Sequence, residues 1–194
     1  MNEDSHKERE KQVAQFIGNL SQLDDGDRAR LKRNAGKSLA ESRDVRLLFY
    51  SHVAPRGMAA WQEERYFLLA TLYPLDKAKR RERRPTAEDD EESATTGSFA
   101  SFGKSFRMAR TDVNKAGLDR RFARLLDADL EDLTFQLRQA VSRLSSEWLP
   151  IDWAQLTRDI MNWDHPTHYV QRQWARDYVA AEPQKQEPQN TQSH

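Results

Sequence analysis

Apolar residues recur at helical spacing along most of this chain, and that spacing constrains the fold more than any other feature. In residues 118–144, LDRRFARLLDADLEDLTFQLRQAVSRL, one stripe of the helical wheel is apolar. It comprises Leu133, Leu137, Ala140, Val141 and Leu144. Glycine and proline are scarce, at seven residues each, and no segment alternates apolar and polar residues over a strand's length. The sequence therefore predicts an all-α protein.

The predicted helices fall into two groups, which indicates two small helical bundles, over residues 9–75 and 98–180. Between them, residues 76–97 begin with basic residues, continue with acidic residues and end with small polar residues. Such a segment buries too little apolar surface to offset the entropy of folding, so we predict a flexible charged linker. Residues 1–8 and 181–194 are polar and lack periodicity, and we predict that both ends are disordered.

Local signals predict where several helices begin and end. Ser38 with Glu41 forms the pattern of a capping box at the start of one helix. Asp152 is placed to cap another helix, and Pro166 suits the first position of the last one. The sequence Asp-Ala-Asp at 127–129 is expected to divide residues 118–144 into two helices.

Composition excludes some classes of site and leaves others open. Lysine plus arginine number 31, as do aspartate plus glutamate, so net charge neither favours nor excludes nucleic acid as a partner. Cysteine is absent, which excludes disulfides and thiolate metal sites. The first residues lack an apolar signal core, and no apolar run approaches the roughly 20 residues of a membrane span. We expect a soluble, cytoplasmic protein with no membrane partner.

Catalytic chemistry has little support in the sequence. Asp164, His165 and His168 offer carboxylate and imidazole ligands, but they lie around a predicted helix start where capping is the more common role. Gly-Lys-Ser at 103–105 resembles the end of a phosphate-binding loop, yet Ser98 occupies the position of its first glycine. His52 falls on a predicted apolar face and is interpreted as a core or interface histidine. We predict no enzyme activity and no cofactor or metal.

The basic residues allow two interpretations. Arginine forks fit phosphate oxygens, and contacts to a nucleic-acid backbone need no base code. The alternative is a solvated surface of salt bridges, which the pattern alone slightly favours. Phe135 lies away from the leucine stripe and is expected to be exposed unless a partner covers it.

The sequence resembles a known family in several segments. Residues 118–163, LDRRFARLLDADLEDLTFQLRQAVSRLSSEWLPIDWAQLTRDIMNW, followed by VQRQWARDYV, are similar to the CasB family, the small subunit of the type I-E CRISPR effector complex Cascade. LDDGDRARLKRNAGKSL resembles the N-terminal motif of that family, and TTGSFASFGKSF its small-residue stretch. The resemblance covers about residues 12–180.

The resemblance implies both a fold and a function. Members are all-helical with two small bundles and no known catalytic role. Two copies lie head to tail in the complex, where they contact the backbone and large subunits. Beside CRISPR RNA and target DNA, they guide the single strands of the R-loop. Because R-loop formation exchanges one duplex for another of similar stability, modest contacts to the strand backbone can favour it.

The resemblance also carries over to individual residues. The basic positions in the matching motifs are Lys32, Arg33, Lys104, Arg120 and Arg138. The helical faces add Arg107, Arg121 and Arg143 as further candidates for nucleic-acid binding. Two alternatives remain open: a structural adaptor without nucleic-acid contact, and a metal-dependent hydrolase built on Asp164 and His168.

Overall fold

The computed structural model describes residues 3–77 and 101–180, and within these ranges regular structure is helical throughout, without a strand. The α-helices are α1 (Glu3–Gln22), α2 (Asp25–Arg33), α3 (Arg46–Leu48), α4 (Glu63–Leu72), α5 (Phe102–Met108), α6 (Lys115–Asp127), α7 (Leu130–Ser146), α8 (Trp153–Met161) and α9 (Tyr169–Val179). Single helical turns cover Phe49–Val53, Ala60–Gln62 and Tyr73–Leu75. The prediction of an all-α fold is confirmed.

The N-terminal helix is longer than predicted. α1 begins at Glu3, so the prediction of a disordered segment over residues 1–8 is wrong from that residue onward. Its apolar positions Val13, Phe16 and Leu20 are buried, as their spacing predicts. From Ser5 to Gln12 the first turns carry no large apolar residue. Arg158 of α8 pairs with Glu10 there at 2.7 Å.

The segment between α2 and α4 departs from the predicted helix. Ser38 and Glu41 do make the expected reciprocal bonds, with the Ser38 amide donating to Glu41 Oε2 at 3.0 Å. Turns follow, however, and α3 begins only at Arg46. The π-helical turn Phe49–Val53 then changes the register. His52 is consequently exposed, so of its two predicted roles the core one is wrong and the interface one stays a prediction.

The first residue of the predicted linker is fixed in the core. Asp76 is 2% exposed and accepts a hydrogen bond at 2.8 Å from the indole nitrogen of Trp153 in α8. The backbone amide of Lys77 donates to Ser145 Oγ at the end of α7. The prediction of a flexible linker is therefore wrong at Asp76 and Lys77. Residues 78–97 of that segment, residues 98–100 and the predicted tail at 181–194 lie outside the described residues.

Capping residues separate the C-terminal helices largely as predicted. α6 ends at Asp127, and Asp129 caps α7 by accepting from the amides of Glu131 and Asp132, both at 2.9 Å. Asp152 caps α8 through the Gln155 amide at 2.8 Å. Pro166, by contrast, does not open a helix, since α9 begins at Tyr169 after the left-handed residue His168. The proline ring instead lies within the turn that precedes α9.

One hydrophobic cluster runs through both predicted bundles. It contains residues of every α-helix, and the rings of Tyr73 and Trp153 pack at 5.2 Å between centroids across the two halves. Gly103 allows α5 and α9 to approach closely, because a Cβ atom there would lie 2.1 Å from the Trp174 carbonyl oxygen. The glycine of Gly-Lys-Ser at 103–105 thus has a packing role. No helix of the described chain is both long and apolar enough to span a membrane.

Candidate nucleic-acid interface

α7 presents a polar ridge on the side opposite its leucine stripe. Leu133, Leu137 and Leu144 are buried, whereas Phe135 on the other side is 59% exposed. Helical geometry places Arg138 about 60° to one side of Phe135 and Arg143 about 80° to the other. Candidate basic residues therefore lie on both flanks of one exposed aromatic ring.

The first flank meets the turn that follows α2. Gly36 in this turn has φ +84°, and a Cβ atom built on it would lie 3.0 Å from Arg138 Cδ. Lys32 and Arg33 occupy the last turn of α2 and are exposed. We call Lys32, Arg33 and Arg138 the Arg138 flank. The fold thus brings a residue of the second half to the turn after two basic residues of the first.

The second flank is a groove between α6 and α7 with a volume of about 240 Å³. We call it the Phe135 groove. It is lined by Phe106, Arg121, Arg124, Phe135, Gln136, Gln139, Ala140 and Arg143. Arg121 and Arg124 are exposed neighbours on α6 because they are three positions apart. The buried side chains of Phe106 and Ala140 supply apolar surface at the base.

The charge of Arg143 is partly balanced by a neighbour. Its guanidinium forms an ion pair with Glu147, the residue that directly follows α7. Its Nε atom is buried and has no hydrogen-bond partner among the described residues. Arg143 is therefore the groove cation whose charge is the least available to a ligand.

A polar network holds α6 in place beside α5 and α9. Arg110 donates to both carboxylate oxygens of Asp119 on α6, at 3.0 and 3.1 Å. The hydroxyl of Tyr178 on α9 donates to the same carboxylate at 2.6 Å. These hydrogen bonds, that of Arg110 foremost, hold the pKa of Asp119 below its usual value. Asp119 stays ionised near neutral pH and fixes the helix that carries Arg121 and Arg124.

Three of the predicted site residues lie apart from the two flanks. Lys104 is exposed on α5, about 200° around that helix from the groove residue Phe106. Arg107 donates to the Ala180 carbonyl oxygen at 2.6 Å, which stabilises the C-terminal end of α9. Arg120 is exposed and donates to the Ala116 carbonyl within α6. Of the eight predicted residues, Arg138 and Arg143 thus lie on α7 and Arg121 lines the groove beside it, while Lys32 and Arg33 end the helix that precedes the Gly36 turn.

Sequence reasoning left Arg124 out of the candidate set. Its spacing of three from Arg121 on a predicted helix was a usable signal, because such residues share a face. No sequence pattern predicts that the Gly36 turn lies against Arg138, since the two positions belong to different halves of the chain.

The residues of the hydrolase alternative have other partners. Asp164 Oδ2 lies 2.8 Å from Nη2 of the largely buried Arg65, and this hydrogen bond lowers the pKa of Asp164. His165 Nδ1 lies 3.0 Å from the Thr167 hydroxyl, and His168 precedes α9. The described part of the chain contains no group of three histidine, aspartate or glutamate residues arranged to hold a metal ion. Asp164 orients Arg65 between the two halves of the chain.

Known proteins are similar to this chain in sequence. The family model for CRISPR-associated protein Cse2 matches residues 27–178. The CRISPR-associated protein Cse2 of Thermus thermophilus is 33% identical over 122 residues, which cover 62% of this chain. The match covers about 60% of that relative's length.

Solved structures show the same architecture. The crystal structure of M. ruber CasB is similar over 86% of this chain and 92% of its own, with a TM-score of 0.67 and 25% identity. A chain of a CRISPR RNA-guided surveillance complex is similar over 87% of this chain and 92% of its own, with a TM-score of 0.65. Its identity of 21% makes this a likeness of fold alone. The resemblance to the CasB family found in the sequence is confirmed, and the chain belongs to the Cse2 family of CRISPR-associated proteins.

Proposed function

We propose that this protein is a non-catalytic small subunit of a CRISPR RNA-guided surveillance complex, and that the α7 ridge holds nucleic-acid strands through their phosphates. The other subunits of the complex, a second copy of this chain, CRISPR RNA and target DNA are the proposed partners. Family membership and the fold shared with a chain of a surveillance complex support the first part of the proposal. The arrangement of the basic residues supports the second part.

The convergence of the Arg138 flank and the Phe135 groove on one ridge carries the proposal. Lys32 and Arg33 lie more than a hundred positions before Arg138, yet the Gly36 turn meets the Arg138 side chain. Arginine binds phosphate through a planar fork, and contacts of this kind are indifferent to base sequence. A neutral chain can therefore present a locally positive surface to a strand.

The contribution to R-loop formation follows from energy balance. The RNA–DNA hybrid that forms is about as stable as the DNA duplex that it replaces. A few phosphate contacts to a separated strand are then enough to favour the open state. The ridge needs neither a bound cofactor nor a reacting group to have this effect.

The experiment compares two triple variants of equal charge change. In the first, Lys32, Arg33 and Arg138 are replaced by alanine. In the matched control, Lys11, Arg172 and Arg176, which are exposed on α1 and α9, are replaced by alanine. Binding of a labelled single-stranded DNA is measured by anisotropy across a salt series, with the isolated protein and with the assembled complex.

The first variant should bind DNA more weakly. The plot of its log affinity against log salt should become shallower, with the magnitude of the slope reduced by about 0.7 for each phosphate that the variant no longer neutralises. The control should keep the wild-type slope apart from a small general effect of charge. Equal affinity and slope for the two variants, in isolation and in the complex, would show that the Arg138 flank does not contact DNA. That result would favour the alternative of a structural adaptor, whose arginines meet acidic protein surfaces.

A further inference from the structure

Phe135 differs from the other exposed aromatic residues of the described chain. Tyr50 donates a hydrogen bond to Glu63, and Trp61 lies under the Arg65 guanidinium at 4.9 Å. Trp148 lies under the Lys77 ammonium, and Tyr169 packs against His165. Phe135 has the largest exposed fraction of the five, at 59%, and no ring or cation partner among the described residues. More than half of its surface therefore faces solvent.

The surroundings of Phe135 are those of a base-stacking site. The ring stands at the edge of a groove with arginines on the α6 side and amide side chains on the α7 side. At about 240 Å³ the groove is smaller than the roughly 300–1,000 Å³ that encloses a whole drug-sized ligand. It can take one planar ring, while the attached sugar and phosphate stay outside beside Arg121 and Arg124.

We infer that Phe135 stacks on an unpaired nucleobase and that the Phe135 groove thereby selects single strands over duplex. This inference rests on the proposed function, because the phosphates of the strand must first lie along the ridge. Stacking of a base on an aromatic ring tolerates any base, since every base has a π-face. A base inside a duplex is already stacked between its neighbours and cannot offer that face.

The polar residues of the groove fit the same ligand. Gln136 and Gln139 each carry a donor and an acceptor, which lets them bond the edges of different bases. The guanidinium groups of Arg121 and Arg124 can bond phosphate or stack on a ring. Paired cations and neutral amides around one apolar ring suit a nucleotide strand better than the apolar side chain of a protein.

The experiment separates base contacts from phosphate contacts. The probes are a short labelled oligodeoxythymidylate and a strand of equal length and charge built from abasic residues. The wild-type protein is compared with Phe135→Ala, Phe135→Trp and Tyr169→Ala, the last being an exposed aromatic remote from the groove. Circular dichroism and thermal melting establish that each variant is folded.

The wild-type protein should bind the thymidylate strand roughly 5- to 100-fold more tightly than the abasic strand. Phe135→Ala should lose most of this difference, with an unchanged salt slope because every phosphate contact remains. Phe135→Trp should restore the difference, and Tyr169→Ala should retain it. A matched duplex should bind the wild type and Phe135→Ala equally.

Two results would overturn the inference: equal binding of both strands by the wild type, or a difference that Phe135→Ala leaves undiminished. Either result leaves the proposed function standing if the Lys32, Arg33 and Arg138 triple variant still has a lower affinity and slope than its control. If that triple variant equals its control, the phosphate contacts proposed for the Arg138 flank fail independently of Phe135.

Discussion

Arg138 of α7 lies directly against Gly36 in the turn after α2, with its Cδ atom 3.0 Å from the position that a Cβ atom on Gly36 would take. The turn has φ +84° at Gly36, a conformation that residues with a Cβ atom rarely adopt. The same glycine thus fulfils two conditions: it permits the turn, and it leaves room for the arginine. The contact connects the two halves of the chain at the surface proposed to bind nucleic acid.

Gly36→Ala should lower both stability and DNA affinity. The left-handed backbone costs a residue with a Cβ atom about 1–2 kcal/mol, and the new methyl group displaces the Arg138 side chain. Removal of one phosphate contact would lower the salt slope by about 0.7. Urea unfolding and anisotropy titrations measure the two effects.

Gly57→Ala is the matched control, since Gly57 has φ +72° but its nearest outside atom is Gln12 Nε2 at 3.7 Å. It should lose similar stability and keep the wild-type affinity. If both glycine variants bind DNA alike, the Gly36 turn does not position Arg138 for binding.

Glu147→Gln should raise DNA affinity by releasing Arg143 from its ion pair. The pair is partly exposed, so its removal should change stability by less than about 1 kcal/mol. Affinity should rise roughly twofold at low salt, and this gain should shrink as salt screens the charges. Glu8→Gln, an exposed change of the same charge on α1, controls for net charge. An equal gain in both variants would show that Arg143 takes no part.

Asp76→Ala should destabilise the protein by about 1–3 kcal/mol, because it leaves the buried indole N–H of Trp153 without this acceptor. Asp76→Asn keeps an oxygen acceptor at the same place and should lose less. The midpoints of urea unfolding measure both variants. If Asp76→Ala is as stable as the wild type, Asp76 does not anchor the start of the segment that joins the two halves.

Asp159 should make stability fall as pH rises through the weakly acidic range. Burial raises the pKa of Asp159 from its ordinary value of 3.8 to about 6, although Trp174 and Gln155 donate hydrogen bonds to its carboxyl group. Between these pH values the unfolded chain releases the proton first, so the free energy of unfolding decreases with pH. The decrease is on the order of 3 kcal/mol, and it is complete above about pH 6.

The Asp159→Asn variant lacks this titration and isolates it. The stability of the wild type relative to the variant should fall between about pH 4 and pH 6 and stay constant above that range. Glu10 and Asp164 have lowered pKa values, so they weaken both proteins in acid and cancel in the difference. A difference that does not change with pH would contradict the raised pKa of Asp159.

Sequence reasoning succeeded where structure depends on local interactions. The leucine stripe of α7, the break at Asp129 and the cap at Asp152 all follow from contacts within about four residues of the chain. Reasoning of the same kind failed at His52 and Pro166. A π-helical turn changes which side of the helix His52 faces, and the left-handed residue His168 delays the start of α9 beyond Pro166. Neither feature produces a periodic pattern in the sequence.

The sequence by itself determined the helical class, the family and the candidate basic residues, because spacing, caps and motif residues are all local. Only the tertiary structure decided that Arg138 meets the Gly36 turn, that Arg121 and Phe135 line one groove, and that Asp76 lies in the core beside Trp153. These contacts join positions far apart in the chain. They depend on how buried helix faces pack together, which a linear pattern does not specify.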